Sequence, residues 1–232
     1  ASVARGFRAG GFNNGAAGAD ATYEPEFAWS YELGIRARAF ERALDLRAAV
    51  FRMDLTDQQL IQFEPAGQSF YFRNAGKSVH RGAEIELGWQ ATPALRFEGA
   101  AGWIEAEFDE YEDPALGIAY DGNRVPFVPR WNWSAAVELD QPLRAGCRWI
   151  ARAELTGIGD TTWDEANTVE TGDTTLVNAR TGFEFGRYGL FAFAENLADR
   201  EVLEAVYVFS GGEPIAQIAP PRTVGLQWTA DF

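Results

Sequence analysis

Hydrophobic and polar residues alternate along several stretches of this chain, each about ten residues long. In residues 29–38 the odd positions, from Trp29 to Ala37, are apolar, and the even positions hold Ser, Glu, Gly or Arg. Because successive side chains of a β-strand point to opposite faces, this period of two predicts a strand with one apolar and one polar face. The same alternation occurs in residues 81–90, 95–104, 131–140, 147–156 and 175–185.

The length of these segments favours a membrane-spanning β protein. A tilted strand needs about ten residues to cross a hydrocarbon layer of about 30 Å, whereas strands of soluble proteins usually have about five or six. Weaker alternation adds strands at 1–9, 43–62, 189–195 and 223–232, and we expect a β-bulge near Phe51, where the apolar positions change parity. The pattern predicts an all-β fold, an antiparallel transmembrane β-barrel segment of about ten strands.

The connections between the predicted strands fall into two length classes that alternate along the chain. The short connections lie near 40–43, 91–94, 141–146 and 186–188. The long ones span roughly 10–27, 57–78, 109–130, 159–174 and 197–221. Outer-membrane barrels have short turns at the periplasmic rim and long loops outside the cell, so we expect the chain to end in the periplasm.

The last predicted strand carries an apolar face with aromatic residues at the level of the membrane interface. Val224, Leu226, Trp228 and Phe232 share this face, and we interpret them as a membrane-interface and terminal assembly signal. Since a piece of a larger barrel need not close on itself, we expect an open, curved sheet whose exposed edges are the first and last strands.

The amino-acid composition favours some classes of protein and excludes others. With 232 residues, 14% aromatic residues and 24 glycines, one all-β domain is favoured. No apolar run approaches the roughly 18 residues of a membrane-spanning helix, which excludes a helical membrane protein. A net charge of −14, from 20 Lys and Arg against 34 Asp and Glu, argues against nucleic acid as a partner. Cys147 lies in an alternating apolar stretch and is interpreted as a small buried side chain.

A succession of short phrases resembles the β-barrel of the TonB-dependent receptors over essentially the whole chain. In order, they are RGFRAGGFN at 5–13, YEPE at 23–26, YELGIR at 31–36, NAGK at 74–77, RGAEIE at 81–86, PRW at 129–131, VN at 177–178, NLAD at 196–199 and PRTVG at 221–225. Each phrase is short, and the resemblance depends on their order.

This resemblance implies a barrel of about 22 strands with a plugged lumen, of which residues 1–232 would supply the C-terminal part, about the last ten strands. It also implies an outer-membrane location in a Gram-negative bacterium. The implied partners are membrane lipid and, through an N-terminal plug domain, the TonB complex. This sequence holds no plug domain, TonB-contacting segment or signal peptide, so we expect it to be a fragment.

The implied cargo is a small molecule such as a metal chelate. A ferric siderophore is the first expectation, with cobalamin, haem, nickel chelates or an oligosaccharide as alternatives. No cofactor of the protein itself is expected.

Aromatic and arginine side chains in the long loops are candidate cargo contacts, since rings stack on ligands and a guanidinium pairs with anionic chelates. The candidates are Tyr111, Tyr120, Arg124 and Trp163. The alternative is that loop aromatics pack the loops against one another. Charged residues on the polar strand faces are expected to line the lumen in ion pairs with a structural role; they are Arg36, Arg38, Glu84, Glu86, Arg148 and Arg152.

Two other kinds of site are considered. The acidic run from Glu105 to Asp113 lacks the spaced loop of a calcium site and is interpreted as a solvated acidic loop. His80 is the one histidine, and Ser78 shares its strand face, but no oxyanion site accompanies them. We therefore expect no enzymatic activity and no metal site.

Three functions remain open for the complete protein. The first is an active-transport receptor that takes up a scarce nutrient with energy supplied through TonB. The second is a passive porin-like channel, whose reading frame would lack a plug domain upstream. The third is a soluble β-sandwich binding domain, which would show the same alternation but not the strand length, interface aromatics and loop asymmetry.

Overall fold

The structure, a computed structural model, describes residues 1–14, 21–64, 69–74, 76–113, 117–208 and 213–231. It contains twenty β-strands within these residues, numbered here in chain order. They are β1 (Ser2–Arg8), β2 (Gly11–Phe12), β3 (Thr22–Tyr23), β4 (Glu26–Ala39), β5 (Leu44–Thr56), β6 (Gln59–Glu64), β7 (Ser69–Asn74), β8 (Lys77–Thr92), β9 (Leu95–Glu110), β10 (Glu112–Asp113), β11 (Ile118–Ala119), β12 (Trp131–Pro142), β13 (Cys147–Ile158), β14 (Thr161–Thr162), β15 (Glu170–Thr171), β16 (Thr174–Phe185), β17 (Tyr188–Glu195), β18 (Leu203–Tyr207), β19 (Ile215–Ile218) and β20 (Thr223–Ala230).

Ten of these strands form one antiparallel sheet, in the order β1-β4-β5-β8-β9-β12-β13-β16-β17-β20. The predicted succession of ten spanning strands is therefore confirmed. The remaining strands form short hairpins in the long loops, in the pairs β2 with β3, β6 with β7, β10 with β11, β14 with β15 and β18 with β19. No helix in the described part of the chain is long and apolar enough to cross a membrane.

The connections alternate in length as expected. Tight turns join β4 to β5, β8 to β9, β12 to β13 and β16 to β17, and two of them contain the short 3-10 helices Phe40–Arg42 and Arg144–Gly146. Every hairpin formed by the short strands lies in a long connection. Because the strands are antiparallel neighbours, all tight turns lie at one end of the sheet and all long loops at the other.

The predicted β-bulge near Phe51 is wrong. Strand β5 pairs with β4 and β8 without a shift in register, and Phe51 lies opposite Glu32 and Gly82 on the polar face. The apolar positions change parity because this face itself becomes apolar toward the long loops, where the Phe51 ring packs over Gly82. The prediction of a single strand at 43–62 is also wrong. The structure has two strands there, β5 and β6, because the chain turns at Asp57, which has a φ of 56°.

The outer face of the sheet is apolar and exposed. Leu33 and Ile35 of β4, for example, are 63% and 65% exposed. A contiguous apolar surface of this size is unusual for a soluble monomer, and in a bilayer it contacts lipid. Aromatic residues form one row near the tight turns, with Trp89, Phe97, Trp149, Phe183, Tyr188 and Trp228, and another toward the long loops, with Trp29, Tyr31, Trp103, Trp131 and Trp133.

The two aromatic rows are separated by about the thickness of the apolar band of an outer-membrane barrel. Trp149 lies opposite Gln141 in the β12–β13 pair, and Gln141 is ten residues from Trp131 on the same strand. At about 3.3 Å per residue and a tilt of about 35–45°, ten residues rise about 25 Å along the membrane normal. The outer face therefore has the dimensions of a lipid-facing surface.

The buried core is small and lies at the long-loop end of the inner face. Ala106 and Phe108, near the end of β9, pack against Tyr111 and Val125 from the following loop. Phe108 is only 1% exposed. The loop folds back over the strand end because Val125 N–H donates to the Ala106 carbonyl and Phe108 N–H donates to the Asn123 carbonyl, both at 2.9 Å.

Strands β1 and β20 are the two edges of the sheet. Among the described residues β1 pairs only with β4 and β20 only with β17, as expected for an open sheet. Val224, Leu226 and Trp228 share the outer face of β20 and are 68%, 77% and 65% exposed. Phe232, the fourth member of this predicted set, lies outside the described residues.

We predict that residues 1–232, produced alone and refolded in detergent micelles, self-associate. Both edge strands carry rows of unpaired backbone N–H and C=O groups, which pair with other chains unless they are covered. Size-exclusion chromatography with light scattering measures the association, with the full-length protein as the control. A monodisperse folded monomer would contradict an open sheet in solution.

Candidate functional site: the inner wall and the loop cluster

The polar face of the sheet, here called the inner wall, is lined by paired charges. One group lies near the tight turns, where the β4–β5 register places Arg38 opposite Asp45. The Asp45 carboxylate lies 2.8 Å from the Arg38 guanidinium, 3.9 Å from that of Arg36 and 3.4 Å from that of Arg47. Arg47 also lies 3.4 Å from Glu86 on β8. Neighbouring strands thus neutralise each other's charges.

A second group surrounds Arg152 at mid-height on β13. Its guanidinium lies 2.9 Å from Glu98, 3.3 Å from Glu138 and 2.8 Å from Glu154, so carboxylates from three strands meet one cation. Arg148, closer to the tight turns, pairs with Asp140 and Glu184. The residues predicted to face the lumen, including Glu84 opposite Ala49 and Gly102, all lie on this wall.

The loop cluster, formed by residues 111–113, 117–130 and 159–173, covers the long-loop end of the sheet. Tyr111 is 3% exposed, with its ring centroid 4.8 Å from that of Phe108 and 5.7 Å from that of Tyr120. Asp121 accepts a hydrogen bond from the Tyr111 backbone N–H at 2.8 Å. In this structure the two tyrosines pack the loop onto the strand end.

Arg124 joins the two loops. Its side chain is 15% exposed, and its guanidinium lies 2.7 Å from the Asp160 carboxylate and also donates to the Asp160 carbonyl at 3.2 Å. The Asn167 side chain accepts from the Arg124 backbone N–H at 2.7 Å and donates to its carbonyl at 3.0 Å. Asn167 adopts a φ of 55°, which Asn tolerates better than most residues. These contacts fix the relative position of the two loops.

Trp163 is 8% exposed, and its indole N–H donates to the Thr171 hydroxyl at 3.0 Å. The ring of Phe127 meets it edge-on at a centroid distance of 5.4 Å and lies 6.3 Å from Tyr207 of β18. Phe127 has a φ of 64°, a strained conformation for a bulky residue, and is still 52% exposed. Three long loops therefore meet in this aromatic group.

The structure brings all four candidate cargo contacts to the same end of the sheet, but it places them in contacts between and within loops. Direct contact of Tyr111, Tyr120, Arg124 or Trp163 with cargo stays a prediction. Sequence reasoning missed Asp160, Asn167 and Phe127, because their roles depend on partners far away in the chain. The sequence immediately around these three residues gives no signal of such contacts.

Glu165 is a partly buried acidic residue of the loop cluster. Burial raises the pKa of its carboxyl, and the neighbouring carboxylates of Asp164 and Asp113 raise that pKa further. Burial also raises the pKa of the Tyr120 hydroxyl, as do Asp113, Glu165 and Asp164. The Glu165 carbonyl accepts a hydrogen bond from the Asn123 side chain at 2.8 Å, so this acid lies at the junction of the two loops.

The acidic run from Glu105 to Asp113 is not a solvated loop. Its first part belongs to β9, where Glu105 and Glu107 lie opposite Arg81 and Val79 on the outer face. Arg81 lies 2.9 Å from Glu105 and 3.4 Å from Glu107. These charges lie beyond Trp103 of the aromatic row, on the side of the long loops.

Ser78 and His80 lie together on the inner face of β8, with the Ser78 hydroxyl 3.1 Å from His80 Nε2. Ser78, opposite Phe108 on β9, is fully buried, so its hydroxyl is not accessible to a substrate. Within the described ranges, no group of three or more His, Cys, Asp or Glu residues is arranged to hold a metal ion.

The sequence of nine of the ten strands of the sheet, all but β20, matches a known family. The family model described as TonB dependent receptor-like, beta-barrel, matches residues 1–197. The chain belongs to the TonB-dependent receptors. Members of this family are receptors and transporters of the Gram-negative outer membrane and are not enzymes, which confirms the predicted family, location and absence of enzymatic activity.

Individual relatives cover nearly the entire chain. It is 30% identical to the pesticin receptor of Yersinia pestis over 99% of its length and 24% identical to the ferrichrome outer membrane transporter/phage receptor of Escherichia coli over 80%. The crystal structure of the ferric yersiniabactin uptake receptor FyuA from Yersinia pestis superposes with a TM-score of 0.83 at 29% identity, over 99% of this chain and 34% of that one. The chain spans about a third of the length of the pesticin receptor, 33%.

We predict that Asp160→Asn loosens the loop cluster. The change removes a charge-assisted hydrogen bond to a nearly buried guanidinium, which is worth about 1 to 3 kcal/mol. Hydrogen exchange of residues 111–130 in the full-length receptor should become faster. The control is Asp173→Asn, an exposed acid of the same loop; equal exchange in both variants would show that the Arg124–Asp160 pair does not hold the loops together.

We predict that the loop cluster becomes more stable as the pH falls. A carboxyl whose pKa is raised in the packed loops binds more protons there than in the open loops, so packing strengthens as the pH drops through the window between the raised and the ordinary pKa. Glu165→Gln should abolish this pH dependence and slow proteolysis of the loops at neutral pH. Glu170→Gln, at an exposed position of the same loop, should leave the pH dependence intact; its loss in both variants would argue against Glu165 as the titrating group.

Proposed function

We propose that residues 1–232 are the C-terminal part of the barrel of an outer-membrane active-transport receptor. The observation that carries this proposal is the match of the entire ten-stranded sheet to receptors of this family, with an apolar outer face and a charged inner wall. The two faces suit a wall between lipid and a protein-filled lumen, since lipid-facing and lumen-facing residues alternate along each strand.

The proposed cargo is a ferric siderophore. The relatives that support this choice are named a pesticin receptor and a ferric yersiniabactin uptake receptor, at 30% and 29% identity over 99% of the chain. The loop cluster contributes the outer rim, where Tyr120, Arg124 and the exposed ring of Phe127 are proposed to meet the chelate when the loops rearrange around it.

The proposed source of energy is the TonB complex, acting on a plug domain encoded before this chain. In the inner wall, most charges are already paired between strands, as in the Asp45 and Arg152 groups. A wall fixed in this way is suited to stay in place while the plug moves within it. Energy coupling would then reside in the plug and not in residues 1–232.

We predict that deleting the full-length gene abolishes growth on one ferric siderophore as sole iron source, and that the cloned gene restores it. Uptake of radiolabelled iron should stop when TonB is deleted or the proton gradient is collapsed. Passive porin-like permeation would leave uptake intact in both cases.

The matched comparison is a full-length receptor with Phe127→Ala, which should bind the chelate more weakly than one with Phe12→Ala, another exposed ring in a different long loop.

A further inference from the structure

A recess interrupts the apolar outer face of the sheet. Small side chains occupy two successive rows across β13, β16 and β17; they are Ala151, Thr181 and Ala192 in one row and Ala153, Ala179 and Ala194 in the next. Larger side chains border these rows, with Val137 and Leu139 on β12 and Trp149 on the side of the tight turns. The recess has a volume of about 540 Å³.

The recess offers an apolar surface to an occupant. The Thr181 hydroxyl accepts a hydrogen bond from the Trp149 indole N–H at 2.9 Å and donates to the Ile150 carbonyl at 3.3 Å, so it is satisfied within the sheet. No carboxylate among the described residues borders the recess. The other bordering residues lie at alternate positions of the strands and carry their side chains on the inner wall; they are Arg152, Arg180 and Phe193.

Two arginines lie at the tight turns of the same four strands. Arg144 is in the turn between β12 and β13, and Arg187 is in the turn between β16 and β17. The two turns are neighbours, because β13 and β16 pair with each other from Cys147 opposite Phe185 onward. Both arginines are exposed. They therefore place two cations side by side at the rim below the recess.

No carboxylate among the described residues forms an ion pair with either turn arginine. Arg148, on the inner wall, pairs with two carboxylates near these turns. Asp231 meets Arg187 through its backbone N–H, which donates to the Arg187 carbonyl at 3.0 Å. The Arg187 guanidinium lies 5.5 Å from the centroid of the Tyr188 ring, which belongs to the aromatic row of the outer face. This contact holds Arg187 on the lipid side of the rim.

The recess and the turn arginines are separated along the membrane normal as the chain and the headgroup of a lipid are. From Tyr188 to Ala192, four residues at about 3.3 Å per residue and a tilt of about 35–45° rise about 10 Å. Half of a hydrocarbon layer of about 30 Å is about 15 Å. The recess thus lies among the acyl chains of the leaflet at the tight turns, and the arginines lie at its headgroups.

We propose that the recess and the two turn arginines form a binding site for one anionic phospholipid of the periplasmic leaflet. One acyl chain fills the recess, where an empty space would forfeit the dispersion contacts of its lining. The phosphate lies between Arg144 and Arg187, since guanidinium groups bind phosphate well. Charge complementarity favours an anionic over a zwitterionic phospholipid, because the ammonium of a zwitterionic headgroup is repelled by the two arginines. The site is independent of the cargo and of the source of energy.

The test measures the phospholipid retained by full-length receptor in detergent, by native mass spectrometry after addition of phosphatidylglycerol or phosphatidylethanolamine. The unchanged receptor should retain one phosphatidylglycerol in preference to phosphatidylethanolamine. Arg144→Gln combined with Arg187→Gln is expected to weaken binding of phosphatidylglycerol on the order of tenfold and to remove this preference. The control is Arg42→Gln, at an exposed arginine in the turn between β4 and β5, away from the recess. It should bind phosphatidylglycerol like the unchanged receptor.

Filling the recess provides the second measurement. Ala153→Leu combined with Ala192→Leu should release both kinds of phospholipid, since the larger side chains occupy the space of the acyl chain. The control is Ala135→Leu, at an exposed position of β12 opposite Leu155 and outside the recess.

Three results would overturn the proposal. The first is undiminished binding of phosphatidylglycerol by the double arginine variant. The second is an equal loss of lipid in Arg42→Gln or Ala135→Leu. The third is a change from dimer to monomer in light scattering, without release of lipid, when the recess is filled; the recess would then be an interface between two copies of the receptor.

Discussion

Backbone hydrogen bonding in lipid is the constraint on which the rest of this structure depends. A bilayer core offers no water to amide groups, so every spanning strand must be paired on both sides. The eight interior strands of the sheet meet this requirement through long antiparallel pairings on both sides, such as the thirteen residue pairs between β4 and β5. Only the outermost strands, β1 and β20, keep a free side among the described residues. The same rule explains why the chain is built of long neighbouring strands with tight turns at one rim.

Pairing along the strands forces each strand to present two faces to two different surroundings. The outer face meets hydrocarbon and carries exposed Leu, Ile and Val between two aromatic rows. The inner face carries charges, and the sheet places opposite charges from neighbouring strands within ion-pair distance, as around Asp45 and Arg152. Individually such half-exposed pairs stabilise little, but together they leave the wall without excess charge over most of its area.

The long loops are stabilised in a different way from the strands. They lie outside the hydrocarbon layer, so they pack by ordinary burial and hydrogen bonding. Tyr111, Phe108 and Val125 form the small core, and the Arg124–Asp160 and Arg124–Asn167 contacts tie the second loop to the first. Such packing holds the rim in one conformation and keeps some rings, including Phe127, at the surface. Phe127 has a strained backbone conformation, with a φ of 64°. Backbone strain of this kind is concentrated at functional sites of proteins.

The amino-acid sequence by itself determined the number of strands in the main sheet, their antiparallel order, the alternation of tight turns with long loops and the lipid-facing residues. These features follow from local periodicity, because a period of two assigns each side chain to a face without knowledge of any distant partner. The same reasoning failed at Phe51, where the inner face is apolar for reasons of packing over Gly82 on the next strand. Only the tertiary structure decided which loop residues are buried, that Arg124 meets Asp160, and that Arg180 lies opposite Arg152. Those contacts join residues that are tens of positions apart, and strand register, which no local pattern encodes, brings them together.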